Sequence, residues 1–197
     1  MKNINYFTHT LICLFVFTSI HSQTIIKKEA AIKFQSSLQA GSLFGQAGSK
    51  PASTIITING IKIKQWFTGI GVGIDYYGAK RSVPLFAAVQ KNLSSKVNTF
   101  FLYGNAGYNF AWLKDDEKIK NVAYSKQVGG LFYDAGIGYK IKIFRNNYFG
   151  LSAGYSFKQV KEQYTGRCWF CENYVPPLQK DNYKFRTVAV KINWWFL

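Results

Sequence analysis

Residues 149–158 read FGLSAGYSFK, and large apolar residues alternate there strictly with small or polar ones. Successive side chains of a β-strand point to opposite faces, so this stretch predicts a strand with one apolar and one polar face. The same alternation returns in residues 131–142 and 100–112. The polar parity is rich in glycine, which is typical of a strand whose apolar face meets lipid and whose polar face lines a narrow barrel.

Eight strands of this kind can be drawn along the chain. The predicted strands are 32–44, 54–63, 66–77, 83–90, 99–113, 130–143, 148–160 and 182–197. Long connections follow odd-numbered strands, above all 114–129 and 161–181, while short turns such as Lys64-Gln65 follow most even-numbered ones. Strands of about 10 residues can cross a bilayer when tilted. The pattern therefore predicts an all-β, eight-stranded antiparallel up-and-down transmembrane barrel.

The pair Asn59-Gly60 interrupts the alternation of the second predicted strand. Ile56 and Ile58 precede the pair on one parity, and Ile61 and Ile63 follow it on the other. Asn-Gly is a strong hairpin signal, but a hairpin here would leave only a short stub of strand before it. We therefore expect a glycine bulge inside one long strand, with a hairpin turn as the alternative.

The first 22 residues have the layout of an export signal. Lys2 supplies the positive start, residues 11–20 supply an apolar core, and Ser22 is a small residue before a cut at Gln23. This core is shorter than the roughly 20 residues that a membrane-spanning helix needs. We therefore expect a signal peptide at 1–22 and one barrel domain at 23–197, located in the outer membrane of a Gram-negative envelope.

The chain is strongly basic, with 25 Lys and Arg against 9 Asp and Glu and a formal net charge of +16. An exported chain rarely meets nucleic acid, so we expect no nucleic-acid partner. Outer-membrane lipid and lipopolysaccharide are the expected anionic partners, and lysines simply solvated at the barrel rim are the alternative. The composition names no particular surface partner.

Histidine is absent from the expected mature chain, because His9 and His21 both lie in the predicted signal peptide. This argues against histidine-dependent nucleophiles and histidine-ligated metals. The sequence does not place Asp75 and Asp134 near each other or near a cleft, which argues against glycan hydrolysis. We therefore expect no enzymatic activity, no cofactor and no metal.

Charged residues on the polar parity predict a network inside the barrel. An unpaired charge in a narrow lumen costs several kcal/mol, so we expect the two aspartates to pair with some of the basic residues. An anion pathway is the alternative, although side chains about fill an eight-stranded barrel. The predicted lumen residues are Asp75, Asp134, Lys140, Lys158, Arg186 and Lys191, with Lys142 and Lys184 on the same parity.

The predicted loop 161–181 contains Cys168 and Cys171 on either side of Trp169-Phe170. Export to an oxidising compartment favours a disulfide between the two cysteines, with free thiols or a redox-active pair as alternatives. Aromatic residues of this loop form either a partner contact surface or a cluster packed over the barrel mouth. The candidate contact residues are Tyr164, Arg167, Trp169, Phe170 and Tyr174.

Four segments carry a resemblance to a known family, namely GIGVGIDYY at 69–77, LYGNAGY at 102–108, DAGIGY at 134–139 and LSAGYS at 151–156. With the strands placed, the chain resembles the small eight-stranded outer-membrane barrels of the outer membrane protein X and outer membrane protein A type. Residues 188–196 also resemble the C-terminal signal read by the barrel-assembly machinery, although Leu197 follows Phe196. The resemblance implies an outer-membrane barrel and no particular activity.

We therefore expect a non-enzymatic outer-membrane protein whose barrel anchors surface loops for partner or envelope contacts and contributes to envelope integrity. Aromatic residues at strand ends fit the girdles of such a barrel, namely Trp66, Tyr76, Trp112, Tyr148 and Trp194. One alternative is a soluble, exported, lipocalin-like barrel that turns its apolar parity inward to bind an apolar ligand. The other is a small channel or a subunit of an export machine.

Overall fold

The computed structural model describes residues 32–45, 50–77, 80–112, 122–144, 146–166 and 177–196. These residues contain β1 (Lys33–Phe44), β2 (Ala52–Ile63), β3 (Trp66–Tyr77), β4 (Lys80–Asn92), β5 (Thr99–Trp112), β6 (Val122–Val128), β7 (Gly130–Lys142), β8 (Asn147–Gly166) and β9 (Leu178–Phe196). The predicted signal peptide lies outside the described residues. None of the described residues forms a helix of the length and apolarity needed to span a membrane.

The strands close into an eight-stranded antiparallel barrel, which confirms the predicted fold class. Neighbours pair from β1 to β5, and then β5 pairs with β7, β7 with β8, and β8 with β9. The ring closes through β9 and β1, from Phe44↔Val188 to Ser36↔Phe196. Only Gly129 separates β6 from β7, and both pair with β8, so together they form one strand of the ring.

The two ends of the barrel differ in their connections. At the short-turn end lie the connections 64–65, 93–98 and 143–146, together with the start of β1 and the end of β9. At the opposite, long-loop end lie the ends of β1, β3, β5 and β8 and the starts of β2, β4, β6 and β9. The turn at Lys64-Gln65 and the limits of β3 agree with the sequence prediction.

Strands β8 and β9 are longer than predicted, and the loop assignment of 161–181 is wrong over its described part. Their pairing continues to Thr165↔Leu178, and β6 pairs with the same part of β8. Polar residues occupy both parities of these segments, so no apolar alternation marked them as strands. Backbone pairing between neighbouring strands forms this ladder without a buried apolar face.

Large apolar side chains face outward around the ring. Ile70 is 69% exposed and Leu151 is 60% exposed, as are many residues of the same parity on other strands. Trp66, Tyr76, Trp112 and Trp194 are exposed near strand ends, as predicted for the girdles. The girdle assignment of Tyr148 is wrong, because this residue pairs with Trp195, whose side chain is buried in the lumen.

Strand β2 runs through Asn59-Gly60 with neither a bulge nor a turn, so both alternatives for this pair are wrong. The register of β2 with β1 and β3 is continuous through both residues. Ile56 and Ile58 point into the barrel, and the isoleucines after the pair point outward, so the alternation never slips. A bulge was expected because it would bring all four isoleucines to one face, whereas Ile56 and Ile58 fit inside the barrel.

Candidate functional site

An ion pair crosses the lumen between strands on opposite sides of the barrel. β3 and β8 are four strands apart in either direction around the ring. Even so, Lys158 Nζ lies 2.5 Å from Asp75 Oδ2, and Ser82 Oγ donates to the same oxygen at 3.1 Å. Both charged side chains are fully buried, so each supplies the partner that a desolvated charge requires.

A second ion pair connects β9 with β7. Lys191 Nζ donates to Asp134 Oδ2, and the Tyr103 hydroxyl donates to Asp134 Oδ1 at 3.2 Å. The amine of Lys191 also lies over the ring of Tyr103, 4.5 Å from its centroid. The structure thus brings four of the six predicted lumen residues together as two buried pairs.

Lys140 is a buried lumen residue that stands apart from these pairs. It lies near the short-turn end, where its amine is 5.0 Å from the ring centroid of Tyr148 and 5.8 Å from that of Trp195. Lys140 therefore faces the lumen as predicted, but it is not one of the lysines that pair with Asp75 or Asp134.

The lumen assignment of Arg186 is wrong. The inward residue Lys158 pairs with Phe185, so the odd-numbered residues of β9 point inward and the even-numbered ones point outward. Arg186 and Lys184 are exposed on the same face as Val188, on the long-loop side of it. Lys142 keeps the inward parity but is exposed at the end of β7.

Large apolar side chains fill much of the remaining lumen, which the sequence analysis missed. Phe101 and Trp195 meet edge to face with ring centroids 5.2 Å apart. A Cβ at Gly138 would collide with Phe101, and a Cβ at Gly71 with Phe86, so glycine makes room for these rings. The available signal was the occurrence of aromatic residues on the glycine-rich parity. Among the described residues, the larger of two buried apolar clusters contains Ile56, Ile58, Phe67, Phe86, Ala88 and Phe132.

The interior is therefore a packed polar and aromatic core, as expected for a barrel of eight strands. Within the described part of the chain, no group of three or more His, Cys, Asp or Glu residues is placed to hold a metal ion. The geometry provides structural cohesion and electrostatic compensation across the lumen.

Strand β6, residues 161–166 of β8 and residues 178–187 of β9 form an extension at the long-loop end. The last pair of β9 with β1 is Phe44↔Val188, and residues 178–187 of β9 then continue with β8 as their paired neighbour. Gln159 Nε2 donates to Asn182 Oδ1 at 2.9 Å across this ladder. The charged residues of the extension are Lys126, Lys161, Glu162, Lys180, Asp181, Lys184 and Arg186.

Tyr164 is the one candidate contact residue that the structure describes, and it lies on the extension opposite Gln179. The other candidates fall outside the described residues, namely Arg167, Trp169, Phe170 and Tyr174. Cys168 and Cys171 fall there too, so the disulfide stays a prediction.

The fold is similar to that of solved outer-membrane barrels. The outer membrane protein OprG from Pseudomonas aeruginosa aligns with a TM-score of 0.57 and 11% sequence identity, over 88% of this chain and 99% of that one. Neisserial surface protein A aligns with a TM-score of 0.47 and 12% identity, over 84% of this chain and 98% of that one. No protein-family model and no curated protein matches the sequence. At this identity, the likeness to OprG establishes the fold.

Proposed function

We propose that the protein is an integral outer-membrane barrel that neither catalyses a reaction nor conducts ions. It anchors the extension of β6, β8 and β9 and the neighbouring loops at the cell surface, where they contact partners and the envelope. The barrel also contributes to envelope integrity. We expect the barrel-assembly machinery to insert it through β9, the strand that closes the ring with β1.

The observation that carries the proposal is the ion pair between Lys158 and Asp75 across the lumen. It joins opposite walls of the barrel, and the Lys191–Asp134 pair and the Phe101–Trp195 contact occupy further parts of the interior. An ion entering this lumen would have to displace buried charges from their partners, which is energetically costly.

The apolar side chains that face outward from the barrel support a location in the membrane. A soluble, lipocalin-like barrel would bury its large apolar side chains around a ligand, whereas Ile70 and Leu151 project from this barrel. Exposed tryptophan and tyrosine at both ends fit the two interfaces of a bilayer. This face is matched to lipid rather than to water.

The charges of the extension favour an anionic partner at the surface. Its described residues include five basic side chains and two acidic ones. Lys184 and Arg186 project outward just beyond the apolar residue Val188, where the anionic headgroup region of the outer leaflet would begin. Lipopolysaccharide phosphates provide the complementary charge.

Planar-bilayer recording tests the closed lumen. The refolded protein should produce no steady unit conductance, whereas a variant carrying Phe101→Ala, Phe132→Ala and Lys158→Ala should conduct if it still shows heat-modifiable migration. Steady unit conductance of the unaltered protein would contradict the proposal and favour a channel.

Complementation of a deletion strain tests the role of the extension. Val160 and Tyr183 are a cross-strand pair, so residues 161–182 can be replaced by a two-residue Asn-Gly turn that keeps the barrel closed. The shortened protein should restore resistance to bile salts but lose the partner contacts made by residues 161–182, while Lys184 and Arg186 stay on the barrel and keep their contact with lipopolysaccharide. Failure to restore resistance despite normal insertion would show that the barrel alone does not support the envelope.

A further inference from the structure

A pocket of about 420 Å³ opens at the short-turn end of the barrel. It lies between the turn from β2 to β3, the connection from β4 to β5, and the adjoining ends of β7 and β8. Four lysines line it, and none of its lining residues is acidic; the lysines are Lys62, Lys64, Lys96 and Lys140. The volume falls within the range of small-molecule sites.

Lys140 distinguishes this pocket from the polar lumen. Among the residues that the structure describes, three lysines are almost fully buried, and two of them, Lys158 and Lys191, each pair with an aspartate. Lys140 is equally buried, at 3% exposure, but its amine lies over the ring faces of Tyr148 and Trp195. Lys62 shares the Tyr148 ring, with its amine 5.5 Å from the centroid. Two neighbouring lysine amines thus face the pocket without an acidic partner among the described residues.

The polar groups beside these lysines are held in place by hydrogen bonds to the backbone and to one another. Asn92 N donates to Gln65 O at 2.9 Å, which ties the connection 93–98 to the turn between β2 and β3. Gln90 Nε2 donates to Asn92 Oδ1 at 3.2 Å, so the side-chain nitrogen Nδ2 of Asn92 is left as a donor. Ser94 Oγ accepts from Lys96 N at 3.2 Å and keeps its own proton for donation.

We propose that this pocket binds a phosphate group. Several positive charges and a set of neutral donors match a phosphate group, which has four oxygens whether it is free or esterified, better than a carboxylate, which has two. Lysine amines bind phosphate as compact point charges. The group belongs either to a soluble phosphate compound or to a phospholipid headgroup, because exposed Leu93, Val97 and Phe144 place the membrane interface beside the pocket.

Isothermal titration calorimetry with inorganic phosphate tests the site on the refolded full-length mature chain in dodecyl maltoside. We expect saturable binding at one site, weakened about tenfold or more by Lys140→Gln, because charge-assisted hydrogen bonds are lost. Lys91→Gln is the matched control, since it removes one lysine from the outer face, where its amine lies over Trp66. This control should bind phosphate as the unaltered protein does.

Lys62→Gln provides a second variant of the pocket. Because Lys62 is only partly buried, this variant keeps the site testable even if Lys140→Gln fails to fold.

Competition then separates the two sources of the phosphate group. Displacement of phosphate by glycerol 3-phosphate alone assigns the site to soluble compounds, and tighter displacement by dihexanoyl phosphatidylglycerol assigns it to headgroups. The absence of saturable binding, or equal weakening by Lys91→Gln and Lys62→Gln, would overturn the proposal. None of these outcomes depends on the proposed surface role.

Discussion

Lys158 and Asp75 link two strands that share no backbone hydrogen bond, through side chains that meet inside the barrel. Backbone pairing holds each strand only to its neighbours, so this contact acts as a brace across the diameter. Ser82 on β4 adds a donor to the same carboxylate oxygen. The brace therefore connects three strands and closes the lumen at the same point.

Removing one member of this pair should destabilise the barrel strongly. Asp75→Asn leaves Lys158 buried without its carboxylate, and Lys158→Met leaves Asp75 without its amine, so each should lower the free energy of unfolding by about 3 kcal/mol or more. The double variant should lose less than the sum of the two, because neither charge then remains unpaired. Urea unfolding in vesicles, followed by heat-modifiable migration, measures all three. Strictly additive losses would show that the two residues do not interact.

A side chain at Gly138 should destabilise the barrel, because Phe101 occupies the adjacent space. Gly138→Ala should cost about 1–3 kcal/mol, because its Cβ would overlap the Phe101 ring and the Leu151 carbonyl oxygen. Gly104→Ala is the matched control, since a Cβ there would meet only Val89 Cγ1 at 3.8 Å. The same unfolding assay compares the variants, and Phe101→Leu should recover part of the loss. Equal effects at both glycines would disprove the packing explanation.

The destabilisation caused by an outward-facing charge should depend on the depth of the residue in the membrane. Ile70→Arg lies in the middle of β3 and should destabilise the barrel in phospholipid vesicles by about 2–4 kcal/mol. Ile32→Arg changes a similarly exposed isoleucine just before β1, near the interface, and should cost about 0–1 kcal/mol. If both substitutions proved neutral in vesicles, the outer face would not contact the hydrocarbon core.

Lys184 and Arg186 should contribute to lipopolysaccharide binding. Each basic residue near an anionic membrane surface is worth about 1 kcal/mol, so Lys184→Gln with Arg186→Gln should weaken binding roughly thirtyfold. Fluorescent lipopolysaccharide titrated onto the protein in dodecyl maltoside at low salt gives the affinity. The pair Lys33→Gln with Lys91→Gln removes the same charge at the short-turn end and serves as control. Comparable weakening by the two double variants would show that binding depends on the net charge of the protein and not on the position of these residues.

Much of the barrel was predictable because alternation directly reports the two faces of a strand. The limits of β3 agreed with its glycine-rich pattern, and the outward face of β9 was identified from Val188 onward. Alternation cannot say which large side chains fit inside, because that depends on space created by glycines on other strands. The bulge expected at Asn59-Gly60 was wrong for this reason, because Ile56 and Ile58 fit inside the barrel.

The contacts within the lumen depend on strand stagger, which a single sequence does not reveal. Asp75 and Lys158 were both predicted to face inward, but their pairing across the diameter requires the register of every intervening strand. Lys140 likewise had the correct parity, and only its height along the axis separates it from the aspartates. The phosphate pocket was missed because turn residues such as Lys64 and Lys96 carry no alternation.

Spin labels at Leu151 and Lys161 test most directly whether the apolar outer face meets lipid. Both residues point outward on β8, one in the barrel wall and the other on the extension, so the pair differs mainly in depth. In vesicles, with Cys168 and Cys171 replaced by serine, the Leu151 label should be more accessible to oxygen and the Lys161 label to a water-soluble nickel complex. Equal access of the nickel complex to both labels would contradict a membrane-embedded barrel.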